Sequence, residues 1–436
     1  MAKHIHEIRD PIHSFIRLDS EERQVLDSRP FQRLRYIHQL ALSYLVYPGA
    51  THRRFEHSLG VMELATRVFD VLTDQRNRHE QIRDLFPGGA DQIAYWRRVL
   101  RMAALCHDIG HLPFSHAAEH ELLPEGWDHE KLTVELIQSE EMQGIWSSLT
   151  PPLRAEHIAK LAVGPKKMKE TFSVWEAILA EIIVGDAFGV DRIDYLLRDS
   201  YHSGVAYGQF DHYRLIDCLR ILPKSQDSRE PALGIQAGGL HTAEALLLAR
   251  YFMYTQVYFH AIRRIYNIHL QDFMLAWLNS GGYPTDLDLH LDFTDNEVLA
   301  EIGRAAGSEE HSAHDAARRI INRDHFHVLY ERNPIDIEQN PEATLAIYEA
   351  ASDKYGSESV RRDSWKEKGE IVVFPVEGSD DRIVSSLEVS QVLKHIPPVA
   401  VDFVFISAEH LDAAKGWLEE NRNDIIASRI NKEDNS

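Results

Sequence analysis

Along most of the chain the apolar positions recur at steps of three and four. Phe55, Leu59, Met62, Ala65, Val68, Phe69 and Leu72 fall on one face of a helix, as expected of an amphipathic segment laid against a core. Val99, Leu100, Ala103 and Ala104 carry the same period into Cys106-His107-Asp108, where Gly110 and Pro113 end it. A run from about 172 to 198 reads as helix, bent or interrupted near Gly185 and Gly189, and another is predicted from about Thr242 to Leu278. The character changes after Gly281. Between Asp286 and Glu301 stand six acidic residues and no Lys or Arg, which predicts a solvated linker or the start of a surface helix. Helical spacing returns from about Ala316 to Glu331. The β-branched and aromatic runs Glu370–Phe374 and Val399–Ile406 predict two strands around a helix, and the polar stretch Asn431–Ser436 a disordered tail. The expected fold class is mainly α, with a helical core over 1–280, an acidic segment and helical extension over 281–335, a small α+β C-terminal part over 336–430 and the tail over 431–436.

Composition narrows the chemistry. Lys and Arg number 47 against 68 Asp and Glu, a net charge of −21. A field of that sign disfavours stable binding to nucleic acid or to an anionic membrane. A phosphate-bearing ligand therefore needs a local positive site. The stretch Phe31–His57 offers one: Arg33, Arg35, Arg53 and Arg54 stand against a single acid, Glu56, a formal +3. The two cysteines, Cys106 and Cys218, are too few for a disulfide framework or a Cys-type zinc site. No apolar run approaches the length of a membrane span and no apolar signal core opens the chain, so the expectation is a cytoplasmic protein without a membrane partner. The 25 histidines are the material for a metal site.

The densest chemistry is His107-Asp108-Ile109-Gly110-His111-Leu112-Pro113-Phe114-Ser115-His116. An adjacent imidazole and carboxylate at a helix end suit a divalent metal with mixed nitrogen and oxygen ligands, although an isolated His-Asp pair is more often a cap or an ion pair. Three features shift that balance. His57 opens an amphipathic helix in Arg54-Phe55-Glu56-His57-Ser58, and Asp191 lies on another, giving the order His, His-Asp, Asp. Asp191, Tyr195 and Asp199 share one helix face at i, i+4 and i+8. Arg53 and Arg54, just before His57, could meet an anion.

Together, Phe31-Gln32-Arg33-Leu34-Arg35-Tyr36, Tyr47-Pro48-Gly49-Ala50, Arg54–Val61, the His107–His116 block and Asp191-Arg192-Ile193-Asp194-Tyr195 resemble, in order and spacing, the HD-domain metal-dependent phosphohydrolases. The likeness covers roughly residues 5 to 335 and is greatest to the deoxynucleoside triphosphate triphosphohydrolase branch. It implies a helical HD-domain core, usually oligomeric as a dimer or tetramer, acting on a nucleotide. It makes His57, His107, Asp108 and Asp191 ligands of a divalent metal, for which Mn, Fe, Zn, Ni or Co suit the mixed donors and Mg suits them less well.

The resemblance also implies catalytic roles for His116, Glu119, His111 and His129. His116 and Glu119 share a helix face at i, i+3, so Glu119 is expected to orient or deprotonate the His116 imidazole. Arg54 is expected at phosphate, Gln39, Leu40, Tyr195 and Asp199 at the sugar, and Arg263 and Tyr266 along the nucleotide pocket. Asp27, Gln32 and Arg35 match an allosteric nucleotide site of the mammalian relative. Gln256 and Ile262 depart from that relative, which carries an arginine and a histidine there. The leading expectation is hydrolysis of a dNTP to deoxynucleoside and tripolyphosphate. The alternatives are a phosphatase or phosphodiesterase acting on another nucleotide, and a nucleotide-sensing module with a vestigial site.

Overall fold

The computed structural model describes residues 4–115, 119–278, 282–366 and 372–433. The chain forms two compact units, each built from separated segments: residues 1–253, 282–298 and 370–396 in the first, and 254–281, 299–369 and 397–436 in the second. Nine strands are found among the described residues: β1 Ile5–Asp10, β2 Ser14–Asp19, β3 Leu219–Pro223, β4 Pro231–Gln236, β5 His327–Glu331, β6 Val360–Lys366, β7 Pro375–Glu377, β8 Ile383–Ser385 and β9 Ala400–Ile406.

The first unit is a helical bundle. The helices Arg54–Thr73 and Ala90–Cys106 pack side by side, with Ala155–Val163, Val174–Val184 and Val190–Ser203 against them. The apolar stripe expected from Phe55 to Leu72 is buried along its length. Glu56 folds back to accept the N–H of Arg53 at 2.7 Å, and Ser173 and Glu176 cap the Val174–Val184 helix reciprocally. The expected interruption near 185 is real. A Cβ on Gly185 would lie 2.3 Å from the carbonyl oxygen of Glu181, so only glycine allows the chain to double back there and begin the next helix. Strands β1 and β2 form an antiparallel hairpin, and β3–β4–β7–β8 make a small sheet in which β4 and β7 run parallel.

The second unit holds the antiparallel sheet β5–β9–β6 with β9 central. Alternation along β9 divides its two faces. Val404 and Ile406 join the core with the helices Ala343–Tyr355 and Leu411–Glu433, while Phe403 and Phe405 pack with Ile265 and Phe326.

Several expectations are corrected. The helix expected over 242–278 is two, Leu240–Met253 and Ala261–Leu278, separated by a π-helical turn at Tyr254–Tyr258. The pattern over 316–331 is a helix, His314–Ile321, followed by β5, because Val328 and Tyr330 pair with β9. The strand expected over 370–374 stands instead at Pro375–Glu377, after the unexpected β6 at Val360–Lys366; 372–374 are not strand, and 370 and 371 lie outside the described residues. It pairs with β4 in the first unit, whereas β9 belongs to the second, so the two strands do not flank one helix in one small part. The last helix runs to Glu433 where a tail had been expected from 431. The acidic segment takes the surface-helix alternative, as Leu287–Asp292 and Asp295–Ala306 with Asp288 and Asp292 exposed, but Asp295 is fully buried rather than solvated. Among the described residues, no helix is long and apolar enough to cross a membrane.

Candidate metal centre and active site

Three helices of the first unit supply the four expected ligands. His57 lies in the first turn of Arg54–Thr73, with its side chain 1% exposed. His107 caps the C-terminus of Ala90–Cys106, with Asp108 next, and Asp191 is the second residue of Val190–Ser203. His57 Nε2 is 3.0 Å from Asp191 Oδ1 and 3.7 Å from Asp108 Oδ2. His107 Nε2 is 3.3 Å from Asp108 Oδ1 and 3.6 Å from Asp191 Oδ1. The ligating atoms of His57, His107 and Asp108 all fall within 4.8 Å of one another. His107 Nδ1 bonds the carbonyl of Ala104 at 2.9 Å, while Nε2 is buried with no hydrogen-bond partner among the described residues. A buried nitrogen without a partner, facing two carboxylates and a second imidazole, is a donor set that a divalent cation satisfies. Access is from Asp191, whose side chain retains 35% of its exposure against 8% or less for the other three.

The electrostatics follow from this crowding. Burial opposes charge on His57, but hydrogen bonds to Asp191 and Asp194 push its imidazole up to about 10. Burial likewise opposes ionisation of Asp108; Arg54, His107 and His111 outweigh it and hold the carboxyl well below the usual carboxylate range. Asp191 is also lowered, burial being outweighed by His107 and His57. His111 is pushed well down by burial, Arg54 and His129, and is therefore neutral.

Arg54 is buried and braces this centre. Nη1 donates to Asp108 Oδ2 at 2.5 Å, and Nε and Nη2 donate to Ser115 Oγ at 3.0 and 2.8 Å. Ser115 and Phe114 have φ of 60° and 55°, in the left-handed region that non-glycine residues seldom occupy. Phe114 is tied down by its N–H, which donates to Asp295 Oδ1 at 2.8 Å. His116 lies outside the described residues, and with it the expected pairing to Glu119. Glu119 is instead seen holding His129: Oε1 accepts the His129 backbone N–H at 2.8 Å and sits 2.7 Å from Nδ1. The His129 ring stacks on His111 with centroids 4.0 Å apart, and His111 Nε2 is 3.2 Å from Asp108 Oδ1. His111, His129 and Glu119 thus extend the metal centre on one side.

A second group lies on the same helix as Asp191. Asp199, eight residues on and about 12 Å along the axis, bonds His52 Nε2 at 2.7 Å, and the His52 carbonyl accepts the N–H of Gln39 at 3.1 Å. Gln39 and Asp199 are therefore brought together, with Leu40 buried beside Gln39 in sequence and Tyr195 midway between the two aspartates of the helix. Arg263 and buried Tyr266 belong to the second unit, where Arg263 donates to the carbonyl of Tyr258 and Tyr266 packs against His325. Gln32 and Arg35 are joined by a 2.8 Å hydrogen bond, Arg35 lies 3.5 Å over the Phe55 ring, and Asp27 accepts from Arg23 at 3.1 Å.

Four well-placed polar residues are not apparent from the sequence: His13, His52, Asp194 and Asp295. Asp194 bonds His57 Nδ1 at 2.8 Å, and Asp295 bonds the backbone N–H and ring of His38 at 2.7 and 2.6 Å. The i, i+4 spacing of Asp194 and Arg198 was a visible signal, although it reads as an ordinary helix ion pair. Asp295 carried no signal beyond its acidic surroundings.

A helical unit that gathers two imidazoles and two carboxylates where three helices meet has the donor set of a divalent-metal site, and likeness to known proteins places it among the HD-domain hydrolases. Residues 54–198 match the HD domain and residues 210–363 the HD associated region, and the chain belongs to the HD-domain phosphohydrolase family. It is 30% identical over 359 residues to the uncharacterized protein YwfO of Bacillus subtilis, covering 78% of this chain and 73% of that one. To the human deoxynucleoside triphosphate triphosphohydrolase SAMHD1 it is 29% identical over 364 residues, 75% of this chain and 55% of that enzyme. The crystal structure of a hypothetical protein from Aquifex aeolicus is similar with a TM-score of 0.78 at 31% identity, covering 95% of this chain and all of that one.

Proposed function

We propose that this chain hydrolyses deoxynucleoside triphosphates to deoxynucleoside and tripolyphosphate. The observation that carries the reading is the convergence of His57, His107, Asp108 and Asp191 in one pocket open at Asp191. Similarity to SAMHD1 over three quarters of the chain supports the choice of substrate. A divalent ion held by these four residues would polarise the phosphoryl group and lower the pKa of water.

The rest of the chemistry falls to the protein. Water gives up one proton to solvent as its oxygen bonds to the α-phosphorus, the bond from phosphorus to the 5′ oxygen breaks, and His116, protonated at the start, gives that oxygen its proton and is reprotonated from solvent. Arg54, held by Asp108 and Ser115, sets a fixed positive charge beside the developing charge on the phosphoryl oxygens. Glu119 holds His129 through Nδ1, and neutral His111 supports that ring by stacking, which fixes the imidazole beside the metal centre. Gln39, Leu40, Tyr195 and Asp199 form the sugar end. A close pocket there selects deoxyribose because a buried 2′-hydroxyl would need room and a partner. Arg263 and Tyr266 as nucleotide contacts, an allosteric site at Asp27, Gln32 and Arg35, and self-association as a dimer or tetramer belong to the same reading.

Incubation of Mn²⁺-loaded protein with each dNTP, with products resolved by anion exchange, tests it. The expected result is tripolyphosphate and deoxynucleoside in equal amounts; pyrophosphate or single phosphate in their place would sink the triphosphohydrolase. Gln256 and Ile262 favour a second reading, hydrolysis of a shorter phosphate ester or a phosphodiester, which the same separation would reveal.

A further inference from the structure

A ligating imidazole must present one unprotonated nitrogen in a fixed direction, and the bond made by its other nitrogen sets both the tautomer and the ring plane. His107 meets this need within its own helix, through the carbonyl of Ala104. His57 meets it with a side chain from another helix: Nδ1 is 2.8 Å from Asp194 Oδ2, which leaves Nε2 for the metal side.

Asp194 is fully buried, and both of its oxygens are committed twice. Oδ2 accepts from His57 Nδ1 and from Arg198 Nε, each at 2.8 Å. Oδ1 accepts from Arg198 Nη2 at 3.0 Å and from His13 Nε2 at 2.6 Å. These four bonds use the four lone-pair positions of a carboxylate, so it cannot rotate without losing one. The Arg54–Thr73 helix gives up a side chain to admit the group: a Cβ on Gly60 would fall 1.9 Å from Asp194 Oδ1 and 2.5 Å from Arg198 Nη2.

The network continues to the turn of the β1–β2 hairpin. Arg198 Nη1 donates to Asp10 Oδ2 at 2.9 Å, and Asp10 Oδ1 accepts the N–H groups of Ile12 and His13 at 2.8 Å each, which sets the turn that carries His13. His13 is buried and its Nδ1 has no partner, so the bond to Asp194 is the one its ring makes among the described residues. If two helices only needed joining, an apolar pair would serve at lower desolvation cost.

We propose that Asp194 is a positioning residue for His57, and that His13 completes the device and couples the β1–β2 hairpin to the metal centre. The proposal rests on the reading of His57 as a metal ligand. Its test is Mn²⁺ affinity, measured by titration calorimetry on metal-stripped protein, with thermal unfolding followed in parallel in chelator. Asp194→Asn should weaken Mn²⁺ binding by about 10- to 100-fold, the range for loss of such a supporting partner. His13→Ala should weaken it less, and His13→Gln, which keeps an N–H donor, should recover it. A purely structural role would lower the unfolding midpoint in chelator and leave the affinity of the folded protein unchanged. Wild-type affinity in Asp194→Asn, or in His13→Ala should Asp194→Asn fail to fold, overturns the proposal while Asp191→Ala still abolishes binding. If Asp191→Ala binds as well as wild type, the ligand assignment itself is wrong and the positioning role falls with it.

Discussion

Asp108 and Asp191 face the same pair of histidines, but the protein has invested in them unequally. Asp108 is enclosed and holds the buried guanidinium of Arg54, whereas Asp191 stands at the mouth of the pocket. Removing either should abolish metal binding. Asp108→Ala leaves the buried guanidinium of Arg54 without its carboxylate, a loss of about 3 kcal/mol or more, whereas His57 keeps its bond to Asp194 when Asp191 is removed. Asp191→Ala should cost about 1 kcal/mol or less, as partly exposed substitutions do. Urea unfolding of both variants in chelator would separate the effects, and an equal drop in stability would contradict this account of the pocket. Local spacing was enough to nominate both residues. Their different burial was not legible, because it depends on how three helices from distant parts of the chain close around them.

At the scale of elements, the helix Val174–Val184 carries a carboxyl that the metal centre does not use. Glu181 is pushed by burial from an ordinary 4.5 up to about 7, only partly offset by the N–H of Leu233 and by Lys224. Between those values the folded protein keeps a proton that the unfolded chain releases, so stability falls as pH rises from about 4.5 to about 7 and is level above. At roughly 1.4 kcal/mol per pH unit, the interval from 4.5 to about 7 sets an upper limit of about 3 to 4 kcal/mol. Glu181→Gln should remove this component, and urea unfolding of wild type and variant at pH 5, 6, 7 and 8 checks it; parallel pH profiles would refute the assignment. Element boundaries show the same split in legibility. Gly185 and Gly189 betrayed one break through their lack of side chains, whereas the break at Tyr254–Tyr258 falls in a run of ordinary helix formers and aromatics. Strand β5 was hidden because its alternation is short and becomes β structure only by pairing with β9.

For the whole molecule, the net charge of −21 directs attention to where positive charge is available. The arginine-rich stretch 31–57 is not a free basic patch. Arg33 is buried and donates to the carbonyls of His111 and Phe293, and Arg54 is engaged by Asp108 and Ser115. A bound cation would therefore supply much of the attraction for phosphate, and it should also stabilise the fold. At a free Mn²⁺ concentration 100 times Kd, linkage gives about 2.7 kcal/mol. The four proposed ligands and the residues that brace them all lie in the first unit, so calorimetry that resolves two transitions should show one midpoint rising with Mn²⁺. Asp191→Ala should abolish the rise, and a midpoint indifferent to Mn²⁺ in the wild type would argue against the centre.

By itself the sequence determined the helical character and the family its motifs mark, and through that resemblance it nominated His57, His107, Asp108 and Asp191. These rest on short-range information: a hydrophobic period shows which face of a helix is buried, and adjacency places chemistry at its end. Tertiary structure decided the partners. It brought Asp194 to His57 across 137 residues and to His13 across 181, gave Glu119 to His129, buried Asp295 against His38, and joined β7 to β4. A periodic pattern specifies that a face must be covered without naming what covers it. Side-chain hydrogen bonds between distant segments exist only once packing has chosen the neighbours.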